Sequence, residues 1–185
     1  MTAATAVSPA VTTWKIDPAH TGAEFRVRHM MISNVRGKFN GVNGLLRLDE
    51  SDATRSQVEA TIDVSSVDTG DAQRDGHLKG ADFFDAEKYP QMAFRSTKVE
   101  SRGAGELAVT GDLTLHGVTR PVTFAVEGPS QPAKDPWGNL RVGLSATAKI
   151  NRKDFGLTWN AALEAGGMLV GEDVTITLDV QFVKG

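Results

Sequence analysis

The chain has 185 residues, enough for one domain with a sizeable core and short for two. Its 20 basic and 23 acidic residues give a net charge of −3 with no lysine- or arginine-rich stretch, which argues against nucleic acid as a partner. With no cysteine there are no disulfides, thiolate metal sites or cysteine nucleophiles, and no apolar run approaches the ~20 residues that span a bilayer.

The first thirteen residues, MTAATAVSPAVTT, have neither a basic n-region nor an uninterrupted apolar stretch. They read as a disordered leader rather than a secretory signal, so the chain as given reads as cytoplasmic, with a single domain over residues 14–185. Period-two alternation then dominates. In AEFRVRHM, Ala23, Phe25, Val27 and His29 share one strand face, with Glu24, Arg26 and Arg28 on the solvated other. Val35–Asn40 and Asn43–Asp49 read as a hairpin around the glycines of FNGVNG, and QVEATIDVSSV sets Val58, Ala60, Ile62 and Val64 against Gln57, Glu59, Thr61 and Asp63.

Asp68–Lys88 breaks this pattern. Asp71 suits the cap of a short helix from Ala72 to about Lys79, with Asp75 in its first turn. Gly76 and Gly80 leave that helix dependent on tertiary packing. Strands resume at Met92–Glu100 and Glu106–Leu115, joined by SRGAG, and at Pro121–Glu127. Gly128–Asn139 is a proline-rich loop between strands of one character, not a domain boundary. RVGLSATAKI then places Val142, Leu144, Ala146, Ala148 and Ile150 on one side. After the glycine-studded connection Asn151–Gly171, the last strand alternates Val174, Ile176, Leu178, Val180 and Phe182 with Thr175, Thr177, Asp179 and Gln181. About eight mostly antiparallel strands favour a barrel or sandwich over any βαβ arrangement.

The chemistry-bearing residues are sparse. His20, His29, His77 and His116 show no metal-motif spacing, no serine sits in G-x-S-x-G, and no glycine cluster has P-loop or dinucleotide spacing. Asp82, Asp85 and Glu87, beside Lys79 and Lys88, read as a solvated rim. His29, on the face of Phe25 and Val27, is either a half-buried histidine at a strand end or a polar anchor inside an apolar cavity. Phe83, Phe84, Tyr89 and Phe94 gather at the non-strand insertion, and Trp137, Phe155 and Trp159 at the late loops. Core filling accounts for most of them, but an eight-stranded barrel is just wide enough for side chains or one small ligand, and aromatics on end-covering segments can line a pocket mouth.

Five segments in order carry a resemblance: Trp14–Gly44, RDGHLKGADFFDAEKYPQMAFRS (Arg74–Ser96), GDLTLHGVTRPV (Gly111–Val122), RKDFGLTWN (Arg152–Asn160) and VGEDVTITLDVQF (Val170–Phe182). Each is modest alone; together they resemble the YceI-like family over nearly the whole chain. The resemblance implies an all-β fold, an eight-stranded antiparallel lipocalin-like barrel with a short helical insertion covering one end. It also implies a long amphipathic ligand, a polyisoprenoid or isoprenoid quinone, in an elongated apolar tunnel, with no catalytic residues, metal or cofactor. Many members of the family are periplasmic with a cleaved signal peptide, which this chain does not show, and Gly80 stands where the family motif usually has serine.

From alternation and motif position, the expected lining is Phe25, Val27, His29, Phe39, Leu78, Phe83, Phe84, Tyr89, Phe94, Leu113, Leu115, His116, Phe155 and Trp159. Head-group anchors are expected among His29, His116, Arg36 and Asn160. Arg74–Pro90 reads as the cover of one barrel end, with Leu78, Phe83 and Phe84 turned inward. The expected partner is an isoprenoid or other long-chain amphipathic lipid, with no nucleic acid and no membrane span; strand edges near the barrel ends leave a homodimer open. The competing readings are an enzyme acting on a lipid-like substrate through His29 or His116, and an interaction module with a solid core.

Overall fold

The computed structural model describes residues 10–185. Its strands are β1 (Val11–Ile16), β2 (Gly22–His29), β3 (Ser33–Phe39), β4 (Val42–Asp49), β5 (Gln57–Asp63), β6 (Val67–Asp68), β7 (Gln91–Gly103), β8 (Glu106–Leu115), β9 (Val118–Glu127), β10 (Ala133–Lys134), β11 (Leu140–Asn151) and β12 (Val170–Lys184). One α-helix, α1 (Ala72–Lys79), separates β6 from β7.

Several of these strands are halves of one kinked path. β1 and β2 both run antiparallel to β12, interrupted by a 3-10 turn at Pro18–His20. β3 pairs with β2 and β6, while β4 pairs with β1 and β5. The three kinked paths, with β7, β8, β9, β11 and β12, make a closed eight-stranded antiparallel barrel, sealed where β11 pairs with β12.

This topology corrects the hairpin expected around FNGVNG. β3 and β4 do not pair with each other, so Asn40 and Gly41 mark a bend and not a reversal. The amides of Asn40 and Gly41 donate to the Ser66 hydroxyl at 3.2 and 3.0 Å, and Asp63 N donates to Gly41 O at 2.9 Å. Ladder bonds missing at one kink are thus replaced by the neighbouring one, as buried backbone polar groups require. The reversal lies upstream, at Met30–Ile32 between β2 and β3.

Residues 1–9 lie outside the described residues, and with them most of the leader expected over residues 1–13. Its end needs correcting, because Val11, Thr12 and Thr13 pair with Asp49, Leu48 and Arg47. Trp14, 0% exposed, anchors that strand, and its indole N–H donates to Thr12 Oγ1 at 2.9 Å.

The helix begins where its cap predicts. Asp71 accepts from Arg74 N at 2.9 Å, satisfying one of the amides left open in a first turn. The Asp75 carboxylate takes Thr69 N and Thr69 Oγ1 at 2.8 and 2.6 Å, and these bonds, the hydroxyl's above all, hold its pKa below the ordinary value. The following segment folds back under α1 through Phe84 N to Leu78 O and Ala86 N to Lys79 O.

Candidate ligand-binding cavity

Alternation on every wall sends one apolar set inward, and the barrel does not fill. A compartment of about 200 Å³ lies in its body and a second, of about 240 Å³, under α1 and the 156–170 connection. Each exceeds the ~150 Å³ of an apolar cavity that holds a benzene-sized guest. The body compartment is walled almost wholly by carbon, with Glu24, Ser56 and Gln57 as its polar residues. Phe25, Phe39, Met92, Leu115, Ile150 and Ile176 border both compartments, so the two share a waist.

That waist is aromatic. The Phe25 and Phe39 centroids are 5.7 Å apart, and Phe84 meets Phe39 edge-on at 5.7 Å. Gly37 lies opposite Phe25 across the β2–β3 ladder, and a side chain there would run into the Phe25 ring. Under α1 a second group closes the rim: His77 stands edge-on to Phe83 and Trp159, each at 5.0 Å, and Phe83 lies 5.3 Å from Trp159. This group joins the α1 segment to the late connection, two stretches distant in sequence.

The expected lining residues divide. Phe25, Phe39 and Leu115 border both compartments, and Phe94 and Leu113 face the body. Val27, His29, Leu78, Phe83, Phe84 and Trp159 face the compartment under α1. Tyr89, His116 and Phe155 face neither. His116 sits in the β8–β9 turn at φ 53°, its Nδ1 lies 3.1 Å from Phe155 O, and its ring packs on Tyr89 at 4.9 Å. The turn carries that ring away from the lumen, while Phe155 is consumed by the packed core.

Of the four head-group anchors, only His29 borders a compartment. Arg36 is exposed on the outer face opposite Arg26, where the strand parity of Phe25 and Val27 puts it. Asn160 is spent on backbone, donating to Val170 O at 2.7 Å and accepting from Val170 N at 2.9 Å.

Sequence reasoning missed Arg28, Arg74, His77 and Arg152, all of which border the compartment under α1. Arg74, His77 and Leu78 follow i, i+3, i+4 spacing, a signal present in the sequence. Arg152 had none. Its guanidinium, 3% exposed, donates to the carbonyls of Gly171, Leu157, Trp159 and Val170 at 2.7, 2.7, 2.9 and 3.3 Å. Burial lowers its pKa from the ordinary arginine value. This one side chain shapes the connection that roofs the compartment. No Asp or Glu among the described residues borders that compartment. Among the described residues, no group of three or more His, Asp or Glu could hold a metal ion.

Comparison with known proteins agrees with this architecture. The family model described as the YceI-like domain matches residues 14–182. A UPF0312 protein of Vibrio parahaemolyticus is 42% identical over 137 residues, covering 74% of this chain and 72% of that protein. The solved YceI protein of Campylobacter jejuni superposes with a TM-score of 0.71 at 31% identity, over 85% of this chain and 90% of that one. A domain from Saccharophagus degradans, described as polyisoprenoid-binding, shares the fold with a TM-score of 0.67 at 16% identity, over 95% of this chain and 100% of that one.

Proposed function

The chain belongs to the YceI-like family, and on that premise we propose that it binds a long-chain isoprenoid, an isoprenoid quinone or a similar amphipathic lipid inside the barrel, as a carrier or sequestering protein rather than an enzyme. The observation that carries this reading is the pair of waist-sharing apolar compartments along one barrel. An isoprenoid tail needs no directional chemistry from its host. Each methylene-sized group withdrawn from water contributes about 0.8 kcal/mol, so a carbon-walled tunnel suffices for affinity. The description of the Saccharophagus degradans domain as polyisoprenoid-binding supports the ligand class.

The tail is assigned to the body compartment and the head group to the compartment under α1, where His29 and His77 supply the polar edge. An enzymatic reading loses His116, whose ring faces away from both compartments. It would rest on His29, which borders the compartment under α1, or on His77, whose Nε2 lies 3.0 Å from Asp82 Oδ2 at the rim.

Organic extraction of the purified protein followed by mass spectrometry tests the proposal. Recovery of a stoichiometric prenyl-chain lipid is expected. An empty protein that also fails to take up a fluorescent prenyl probe would sink it.

A further inference from the structure

The β2–β3 turn is built against the usual rules. Met30 and Met31 sit at φ 51° and 60°, in a region that hairpin turns normally give to asparagine or glycine. Met30, Met31 and Ile32 are 44, 59 and 75% exposed. Met168, 48% exposed, lies next to them: Met30 N donates to Leu169 O at 2.7 Å, and the Met31 sulfur lies where a side chain on Gly167 would be. The result is a contiguous apolar knob, beside the Arg28, His29, Leu169 and Val170 edge of the compartment under α1.

The outer face of the same hairpin is basic. Arg26 stands directly opposite Arg36, with Arg28 and Lys38 on the same exposed face. Like charges opposite one another destabilise a sheet. Among the described residues none of the four makes an ion pair, and residues 1–9 contain no acidic side chain. Lys38 lies between two carboxylates in the sheet, Glu24 on β2 and Asp68 on β6, and Glu164 is the carboxylate of the adjoining loop. An apolar tip flanked by unpaired cations matches a bilayer surface of anionic lipid, with side chains entering the acyl boundary and arginines meeting phosphates.

We infer that the β2–β3 hairpin docks the protein on anionic membranes, Met30, Met31 and Ile32 inserting and Arg26, Arg28 and Arg36 binding head groups. Docking there sets the compartment under α1 against the lipid surface. The inference rests on the hairpin and stands apart from the identity of any ligand inside the barrel.

Sedimentation with phosphatidylcholine vesicles, with and without phosphatidylglycerol, tests it. Wild-type protein is expected on the anionic vesicles only, released by high salt. Met31→Ser/Ile32→Ser and Arg26→Gln/Arg36→Gln should each weaken binding by roughly tenfold or more, with no loss of thermal stability and extractable lipid unchanged. Wild-type protein that ignores anionic vesicles, or variants that bind as well as wild type, would overturn the inference. So would a dimer that Met31→Ser/Ile32→Ser dissociates, since a second copy then covers the knob. An empty barrel beside intact vesicle binding would remove the proposed ligand and leave the docking.

Discussion

Phe83 and Phe84 are adjacent in sequence yet serve two places, Phe83 in the rim group with His77 and Trp159, Phe84 against Phe39 at the waist. Both contacts depend on ring area, whereas Asp82 and Asp85 carry solvated charge of little energetic weight. Phe83→Ala/Phe84→Ala should weaken retention of a fluorescent prenyl probe by about tenfold or more, and Asp82→Asn/Asp85→Asn by less than about threefold. The reverse ranking would make the segment a polar gate. Gly37→Ala is a second residue-scale test: its methyl forces the Phe25 ring to move, and overpacking of that kind costs about 1–3 kcal/mol in thermal or denaturant unfolding. Residues on strands were legible because parity sorts them, as it did Phe25, Val27, Leu113 and Leu115. His116 falls one position out of step with Leu115, and its turn completes the departure. Asn160 shows a different limit, since nothing in a loop sequence says that an amide will be used up on a neighbouring backbone.

At the scale of elements, caps and bends were read with unequal success. Asp71 announced α1, because a helix terminus has unsatisfied amides that only a few side chains can meet, and Asp75 in its first turn ties the helix back to Thr69 ahead of the cap. FNGVNG announced a change of direction without saying which. Glycine and asparagine permit both a reversal and a kink, and the choice rests on Ser66, 25 residues away in the chain from Gly41. The 156–170 connection was the least legible element, lacking any period, and its shape depends on Arg152. Arg152→Leu leaves four carbonyls without their donor and should cost roughly 3 kcal/mol or more in thermal unfolding. Proteolysis should then begin within residues 156–169, and Arg152→Lys should recover little, because an ammonium cannot reproduce the planar fork. Global unfolding without early cleavage in that connection would show that Arg152 supports the barrel and not the roof.

For the whole molecule, closure is the step that alternation leaves unstated. Period-two patterns show that walls exist, but the seam needs β12 to meet both β1 and β11, as in Trp14 opposite Lys184 and Val142 opposite Phe182. An ionic clasp crosses that seam. Arg141, at the start of β11, donates to Asp17 Oδ2 at 2.6 Å and Asp135 Oδ2 at 2.8 Å, reaching over β12 to the kink between β1 and β2. The Arg141 bond is the chief cause that lowers both carboxyls to about 2, from 3.8 for an ordinary aspartate. Between those values the unfolded chain binds protons that the folded one does not. The stabilisation is therefore complete above about pH 4 and is lost as pH falls toward 2. Arg141→Gln should lower the melting temperature at neutral pH and flatten its dependence on pH across that acid window. A variant whose acid profile overlays that of the wild type would remove the clasp from the forces that close the barrel.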